Sequence, residues 1–178
     1  DRLSREDGVT LYRSADVLTV GYMANLVRER LHGNTTYFNV NRHINPTDVC
    51  VASCRLCAFG KKSKDPNAYT MSLEEVWHRA GLGWSESITE FHIVGGLHPT
   101  LTLDWYCQMA TGLKERFPQV HVKAFTMVEI AYFAQREKLS YREVLERLVR
   151  AGVDSMPGGG AEIFSERVRR IICDHKID

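Results

Sequence analysis

The chain lacks any apolar run near the ~18 residues that a membrane span needs. Its opening stretch, DRLSREDGVT, carries too many charges for a secretory signal peptide. No charge sign dominates: 23 Lys and Arg face 22 Asp and Glu, a net charge of +1. With a pI near 7.8 there is no electrostatic case for nucleic acid or an anionic membrane as partner. Repeats of fixed period and low-complexity tracts are absent as well. Cysteine is scarce and odd in number, five in all, which excludes a fully paired disulfide scaffold. Three of the five crowd into one short segment, so the expectation is a reduced, cytoplasmic protein whose thiolates bind something. What remains is ordinary: 44% hydrophobic and 25% charged side chains over 178 residues. Those proportions exclude disordered, collagen-like and coiled-coil chains. The length suits about one domain, able to bury roughly 70% of its unfolded surface.

The first thirty residues read as helix. Ser4-x-x-Asp7 and then Ser14 can each cap an N-terminus, and Val17, Leu18, Met23, Leu26, Val27 and Leu31 recur near helical spacing. His32-Gly33-Asn34 is a stop, followed by the aromatic and β-branched run Thr35–Phe38. From His43 the pattern alternates strand and helix. Strands are expected at His43–Asn45, Ile88–Val94, Val120–Phe125 and Val153–Met156. Helices are expected from the capping box Ser72–Glu75 to Gly81, from Leu103 to Arg116, and from the capping box Ser140–Glu143 to Gly152. Successive βαβ units mean a parallel sheet, either a barrel or a doubly wound fold.

The segment Cys50-Val51-Ala52-Ser53-Cys54-Arg55-Leu56-Cys57 follows the first expected strand, at the strand end where parallel α/β enzymes place their chemistry. Zinc normally takes four protein ligands, in two pairs, whereas Cys107 and Cys173 stand alone. Three thiolates suit a four-iron cubane with one iron open to a substrate. Structural cysteines acting as small hydrophobes are the bland alternative, a poor fit beside Ser53 and Arg55. Strand alternation puts Val120, Val122 and Ala124 on one face, toward outer helices, and His121, Lys123 and Phe125 on the other, toward an interior. Glu90 and His92 share the equivalent face of the second strand, and His43 and Asn45 that of the first. A buried unpaired ammonium is costly; Lys123 or His92 is expected to bind a substrate carboxylate, the alternative being that one or two of these residues cap the barrel bottom or form buried polar pairs. The Gly158–Gly160 run lacks the Lys-Ser/Thr of a phosphate loop. Lys61-Lys62-Ser63-Lys64 reads as a solvated loop, with docking of an acidic electron donor as the alternative.

CVASCRLC, with Phe59 two residues on, has the C-x₃-C-x₂-C spacing of the radical S-adenosylmethionine (SAM) enzymes. GNTTYFNVNRHINPTDVC, CAFGKKSKDPNAYTMSLEEV, EFHIVGGLHP, HVKAFTMVEI, AGVDSMPGGGAEIF and VRRIICDHK resemble the aminofutalosine synthase family of the futalosine route to menaquinone. The likeness runs from about Leu3 to Lys176. Dehypoxanthine futalosine cyclases and deazaflavin (FO) synthases share the cysteines and a version of PGGGAEI. EFHIVGGLHP and KAFTMVEI favour the synthase. One departure is Asp48, where the family usually has Asn, and where a carboxylate could lower the potential of a neighbouring cluster.

The resemblance implies a partial TIM-type (β/α)6 barrel, with residues 1–40 as a helical extension and 41–178 as the first four strands of it. The later strands are expected to lie beyond this chain, which is expected to be inactive alone. It further implies that Cys50, Cys54 and Cys57 ligate a 4Fe-4S cluster whose open iron binds SAM as a co-substrate. Gly95-Gly96 would present backbone groups to the methionine amine, and Glu162 would meet the ribose hydroxyls, its alternative being a helix N-terminal carboxylate. Arg169 would contact the methionine carboxylate or lie on a solvated helix face. Glu129 would touch substrate or cofactor, or cap a helix. The implied reaction adds a 5′-deoxyadenosyl radical to 3-(1-carboxyvinyloxy)benzoate, with rearrangement and decarboxylation to 6-amino-6-deoxyfutalosine. The implied reductant is a flavodoxin or ferredoxin. A related radical enzyme of the cyclase or FO synthase type and a non-catalytic zinc or iron–sulfur module are the competing readings.

Overall fold

The computed structural model describes residues 2–159 and 162–173. Gly160 of the glycine run, and His175 and Lys176 at the end of the family-like segment, lie outside the described residues. Contacts divide the chain into two units that meet between Phe38 and Asn39.

The first unit holds two helices, in keeping with the two cap signals in the sequence. In α1 (Arg5–Arg13) the Ser4 hydroxyl accepts from the Asp7 amide, and the Asp7 carboxylate accepts from the Ser4 amide at 2.9 Å, a reciprocal capping box. Ser14 closes this helix instead of opening the next. The cap of α2 (Val17–His32) is Asp16, whose carboxylate accepts from the Thr19 amide at 3.0 Å. Beyond α2 the Thr35–Phe38 run forms no strand. The Arg28 guanidinium takes the Gly33 and Thr35 carbonyls, and Tyr37 and Phe38 stand exposed.

The second unit alternates as expected: β1 (Asn41–Ile44), α3 (Leu73–Gly81), β2 (Glu90–Ile93), α4 (Leu103–Arg116) and β3 (His121–Ala124). Three helices follow, α5 (Met127–Glu137), α6 (Tyr141–Arg150) and α7 (Glu166–Ile172). The strands form one parallel sheet in the order β1-β2-β3. The two predicted capping boxes are present at Ser72–Glu75 and Ser140–Glu143. From β1, the Arg42 guanidinium reaches the Ala80 carbonyl at 2.6 Å and so satisfies an open acceptor near the end of α3.

One face of the sheet is apolar. Ile44, Phe91, Ile93, Val122 and Ala124 are fully buried, together with Val76 and Ala80 of α3, Met109 and Leu113 of α4, and Val144 and Leu148 of α6. This is the helix-facing layer that alternation predicted. Gly112 lies where α3 and α4 meet: a β-carbon there would fall 2.6 Å from Nε1 of Trp77.

Two expectations need correction. Val153–Met156 is not a full strand among the described residues, since only Ser155 bridges to Lys123. The Asp154 carboxylate explains this, because it accepts the Val122 amide at 2.8 Å and the Lys114 ammonium at 2.6 Å, so a side chain takes a place a ladder carbonyl would fill. Phe125 does not continue the polar face. Its φ of 70° turns the chain at the end of β3, and its ring packs in the core edge-on to Tyr106 and Phe133.

Candidate functional site

The loop after β1 carries the cysteines and is braced on three sides. The Cys50 amide donates to Lys61 O at 2.7 Å, and the Val51 amide to Leu97 O at 3.0 Å, beyond the end of β2. The Arg55 amide donates to Ile172 O of α7 at 2.8 Å. Beneath them sits Asp48, buried, accepting from the Lys61 ammonium at 2.9 Å and the Tyr69 amide at 2.7 Å. Burial alone would push its carboxyl up; the Lys61 and Tyr69 hydrogen bonds outweigh that and hold it below the usual carboxylate range.

Cys50, Cys54 and Cys57 line one cavity of about 170 Å³ with Gly60 and Lys62. Backbone amides already point at two of the sulfurs: Leu97 N lies 3.3 Å from Cys50 Sγ and Gly60 N lies 3.4 Å from Cys57 Sγ. Among the described residues no three His, Cys, Asp or Glu side chains gather closely enough to hold a single ion. A cubane asks for something else, one thiolate per iron around a space, with donors to the sulfurs. The residues present fit that group.

Gly95 and Gly96 close the far side of this loop. The Gly96 amide donates to Thr47 O at 2.9 Å and the Gly95 amide to Glu129 Oε1 at 3.1 Å. A β-carbon on Gly96 would stand 2.7 Å from the Val49 carbonyl carbon, so the first requirement for glycine here is backbone packing. Both amides are engaged within the protein. Their carbonyls are the acceptors that an ammonium group would require. Glu129 is the N3 residue of the capping box of α5, accepting from Thr126 N at 2.7 Å while it braces Gly95. Of the two sequence readings for Glu129, the structure displays capping.

The polar face of the sheet is assembled by register. Asn41, Glu90 and His121 form one level, and His43, His92 and Lys123 the next. Rings of His43 and His92 stand 5.1 Å apart. Lys123 is not the unpaired ammonium the sequence suggested: its Nζ lies 3.5 Å from Glu90 Oε2. Glu90 is itself buried, and its Oε1 has no hydrogen-bond partner among the described residues, with His92 Nδ1 at 3.8 Å. Burial, and then the neighbouring His43 and Lys123, hold His92 below the ordinary imidazole range against the opposing pull of Glu90. Glu162 lies exposed with a φ of 55° just past the glycine run, and Arg169 lies half-buried on α7. Neither comes among the residues lining the cysteine cavity.

The lysine run is exposed at Lys62, Ser63 and Lys64, as a solvated loop would be, but two of its ammonium groups are also engaged. Lys61 pairs with Asp48, and Lys62 Nζ donates to Val51 O at 2.8 Å and Ala52 O at 2.7 Å. Both brace the cysteine loop from a solvent-exposed stretch. No local pattern reveals such bracing, because the acceptors, a carboxylate and backbone carbonyls, are remote in sequence.

Comparison with known proteins agrees with this geometry. Aminodeoxyfutalosine synthase of Streptomyces coelicolor is 46% identical over 99% of this chain and 46% of its own length. The synthase of Thermus thermophilus is 44% identical over 99% of the chain and 47% of its own. A 5-amino-6-(D-ribitylamino)uracil–L-tyrosine 4-hydroxyphenyl transferase of Methanopyrus kandleri is 41% identical over 87% of the chain and 42% of its own. The chain thus spans about half the length of the curated relatives it matches. The crystal structure of methylornithine synthase aligns with a TM-score of 0.64 at 15% identity, covering 96% of this chain and 44% of that one, which speaks for the fold. A sequence profile described as the Radical SAM superfamily matches residues 44–178, so this α/β chain, with its cysteine loop after β1, belongs to the radical SAM superfamily.

Proposed function

We propose that this chain forms the cluster-bearing half of an enzyme that adds a 5′-deoxyadenosyl radical to 3-(1-carboxyvinyloxy)benzoate, with rearrangement and loss of one carboxylate, to yield 6-amino-6-deoxyfutalosine. The observation that carries this reading is the likeness to two aminodeoxyfutalosine synthases across almost the entire chain. Cys50, Cys54 and Cys57 would hold a 4Fe-4S cluster, which would supply the one electron for breaking the sulfonium–5′ carbon bond of SAM, with methionine leaving. The protein's own residues do the rest by position. Leu97 and Gly60 amides steady two of the thiolates. Gly95 and Gly96 hold the rim where SAM would lie, and Glu162 and Arg169 are proposed for its ribose and carboxylate. In the lumen, Lys123 offers a cation held in place by Glu90, suited to one of the two substrate carboxylates, with neutral His92 beside it as a hydrogen-bonding group. Holding the alkene near the 5′ carbon is the main catalytic contribution asked of such a wall.

The likeness to the Methanopyrus kandleri enzyme supports a second reading, transfer of a 4-hydroxyphenyl group from tyrosine to a ribitylaminouracil. One experiment separates the two. The full-length protein is reconstituted anaerobically, reduced with dithionite, given SAM with either substrate set, and its products are weighed by mass spectrometry. An adenosyl-containing product from the enol ether supports the synthase. 5′-Deoxyadenosine as the main product, with tyrosine consumed, overturns it.

A further inference from the structure

We infer that Lys62 is a positioning residue of the iron–sulfur site, which holds the Cys50–Ala52 arc in place and sets a fixed positive charge at the cavity edge. The inference rests on the family's cluster and not on which reaction follows.

The geometry is specific. Lys62 is one of the residues lining the cavity of the three cysteines. Its Nζ lies 2.8 Å from Val51 O, 2.7 Å from Ala52 O and 3.5 Å from Cys50 O. Three carbonyls from consecutive residues thus converge on one ammonium, which fixes the path of the chain directly after the first ligand. The charge bookkeeping then separates the two neighbouring lysines. Lys61 is matched by the Asp48 carboxylate, so that acid is balanced locally and does not reach the cluster as a net negative charge. Lys62 meets carbonyl dipoles, which orient it without cancelling its charge.

A cluster held by three thiolates becomes more negative on reduction. A nearby cation therefore favours the reduced form, as do amide donors to the sulfurs, here Leu97 and Gly60. Lys62 and the two amides act in the same direction. Without Lys62, the cluster would be harder to reduce even with all three ligands intact.

The test is an anaerobic redox titration of the reconstituted full-length protein, followed by electron paramagnetic resonance, with iron and sulfide assayed on the same samples. Lys62→Met is expected to leave roughly tenfold less reduced cluster at a fixed potential, a 59 mV fall for a one-electron couple. Lys62→Arg is expected to stay near wild type. Lys62→Gln retains an N–H donor for the carbonyls and removes the charge, so it should fall with Lys62→Met. An unchanged midpoint in either neutral variant with full iron content overturns the inference. If both neutral variants lose the cluster while Lys62→Arg keeps it, the requirement for charge stands; loss in Lys62→Arg as well overturns it.

Discussion

Gly96→Ala is the sharpest probe of how the sheet supports the cysteine loop. A β-carbon at this position would lie 2.7 Å from the carbonyl carbon of Val49 and 3.1 Å from Cβ of Cys50, and closer still to the Val49 oxygen. Ordinary contact begins near 3.4 Å. The atoms in the way are mainly backbone, so no rotamer change relieves the overlap, and the Val49–Cys50 peptide must move away from β2. That shift strains the Gly96 N to Thr47 O bond and the Val51 N to Leu97 O bond together. Over-packing of this kind costs about 1–3 kcal/mol and occasionally more. In a full-length protein about twice this length, as its relatives are, that corresponds to a thermal midpoint lower by roughly 1–4 °C. Because Cys50 is carried on the displaced peptide, iron bound per chain should fall as well. Thermal unfolding and iron–sulfide analysis of the reconstituted full-length variant read the two effects separately. Gly158→Ala, where a β-carbon meets nothing within 4 Å, is the control. A Gly96→Ala protein with the wild-type midpoint and full iron content would refute the reasoning.

Three further outcomes are expected. Glu129→Ala removes the acceptor of the Thr126 amide, the Thr126 hydroxyl and the Gly95 amide; losing a buried capping carboxylate should cost about 1–3 kcal/mol in thermal or denaturant unfolding, and an unchanged curve would contradict the brace. Asp48 has a native pKa below its unfolded one, so the stability it contributes is present above the unfolded value, about pH 4, and is lost as pH falls through the native value. Wild type should therefore exceed Asp48→Asn in stability at neutral pH, with the two converging in acid, and parallel curves throughout would be the contrary result. His92 is held neutral near pH 7 and gains charge only as pH falls below the ordinary imidazole range. Substrate affinity at pH 7.5 should then drop more in Lys123→Met than in His92→Gln, with His92 gaining weight only as the pH falls below the ordinary imidazole range. Unchanged affinity in Lys123→Met would remove Lys123 from the site.

Much of this organisation was legible in the sequence wherever the signal was local. The boxes at Ser72–Glu75 and Ser140–Glu143 mark helix starts because donor and acceptor lie three residues apart. The two faces of β3 followed from alternation at Val122, Lys123 and Ala124. The reading failed in three ways: a local signal was passed over, a local backbone turn was unforeseen, or a distant group decided the outcome. α5 lies between the third strand and the Ser140 box, yet the sequence reading left it out, although Thr126 and Glu129 carry the same capping signal as the others. Phe125 breaks the alternation through a positive φ, which a bulky residue rarely adopts. Ser155 makes one bridge, not a strand, because Asp154 competes for the Val122 amide. At the candidate site the cysteines announce themselves by spacing. The roles of Lys61, Lys62 and Glu90 depend on partners brought together only by the fold.

The bond from the Arg55 amide to Ile172 O has a meaning in time as well as in space. It ties the middle of the cysteine loop to the last described helix, across nearly the whole second unit. Contacts so remote in sequence close after local ones, since the chain between them must be ordered first. During synthesis the three cysteines therefore emerge long before the support that α7 gives them. The loop acquires its final fastening only when the segment beyond β3 has docked. A cluster bound by these cysteines would therefore gain this one support only after α7 has docked.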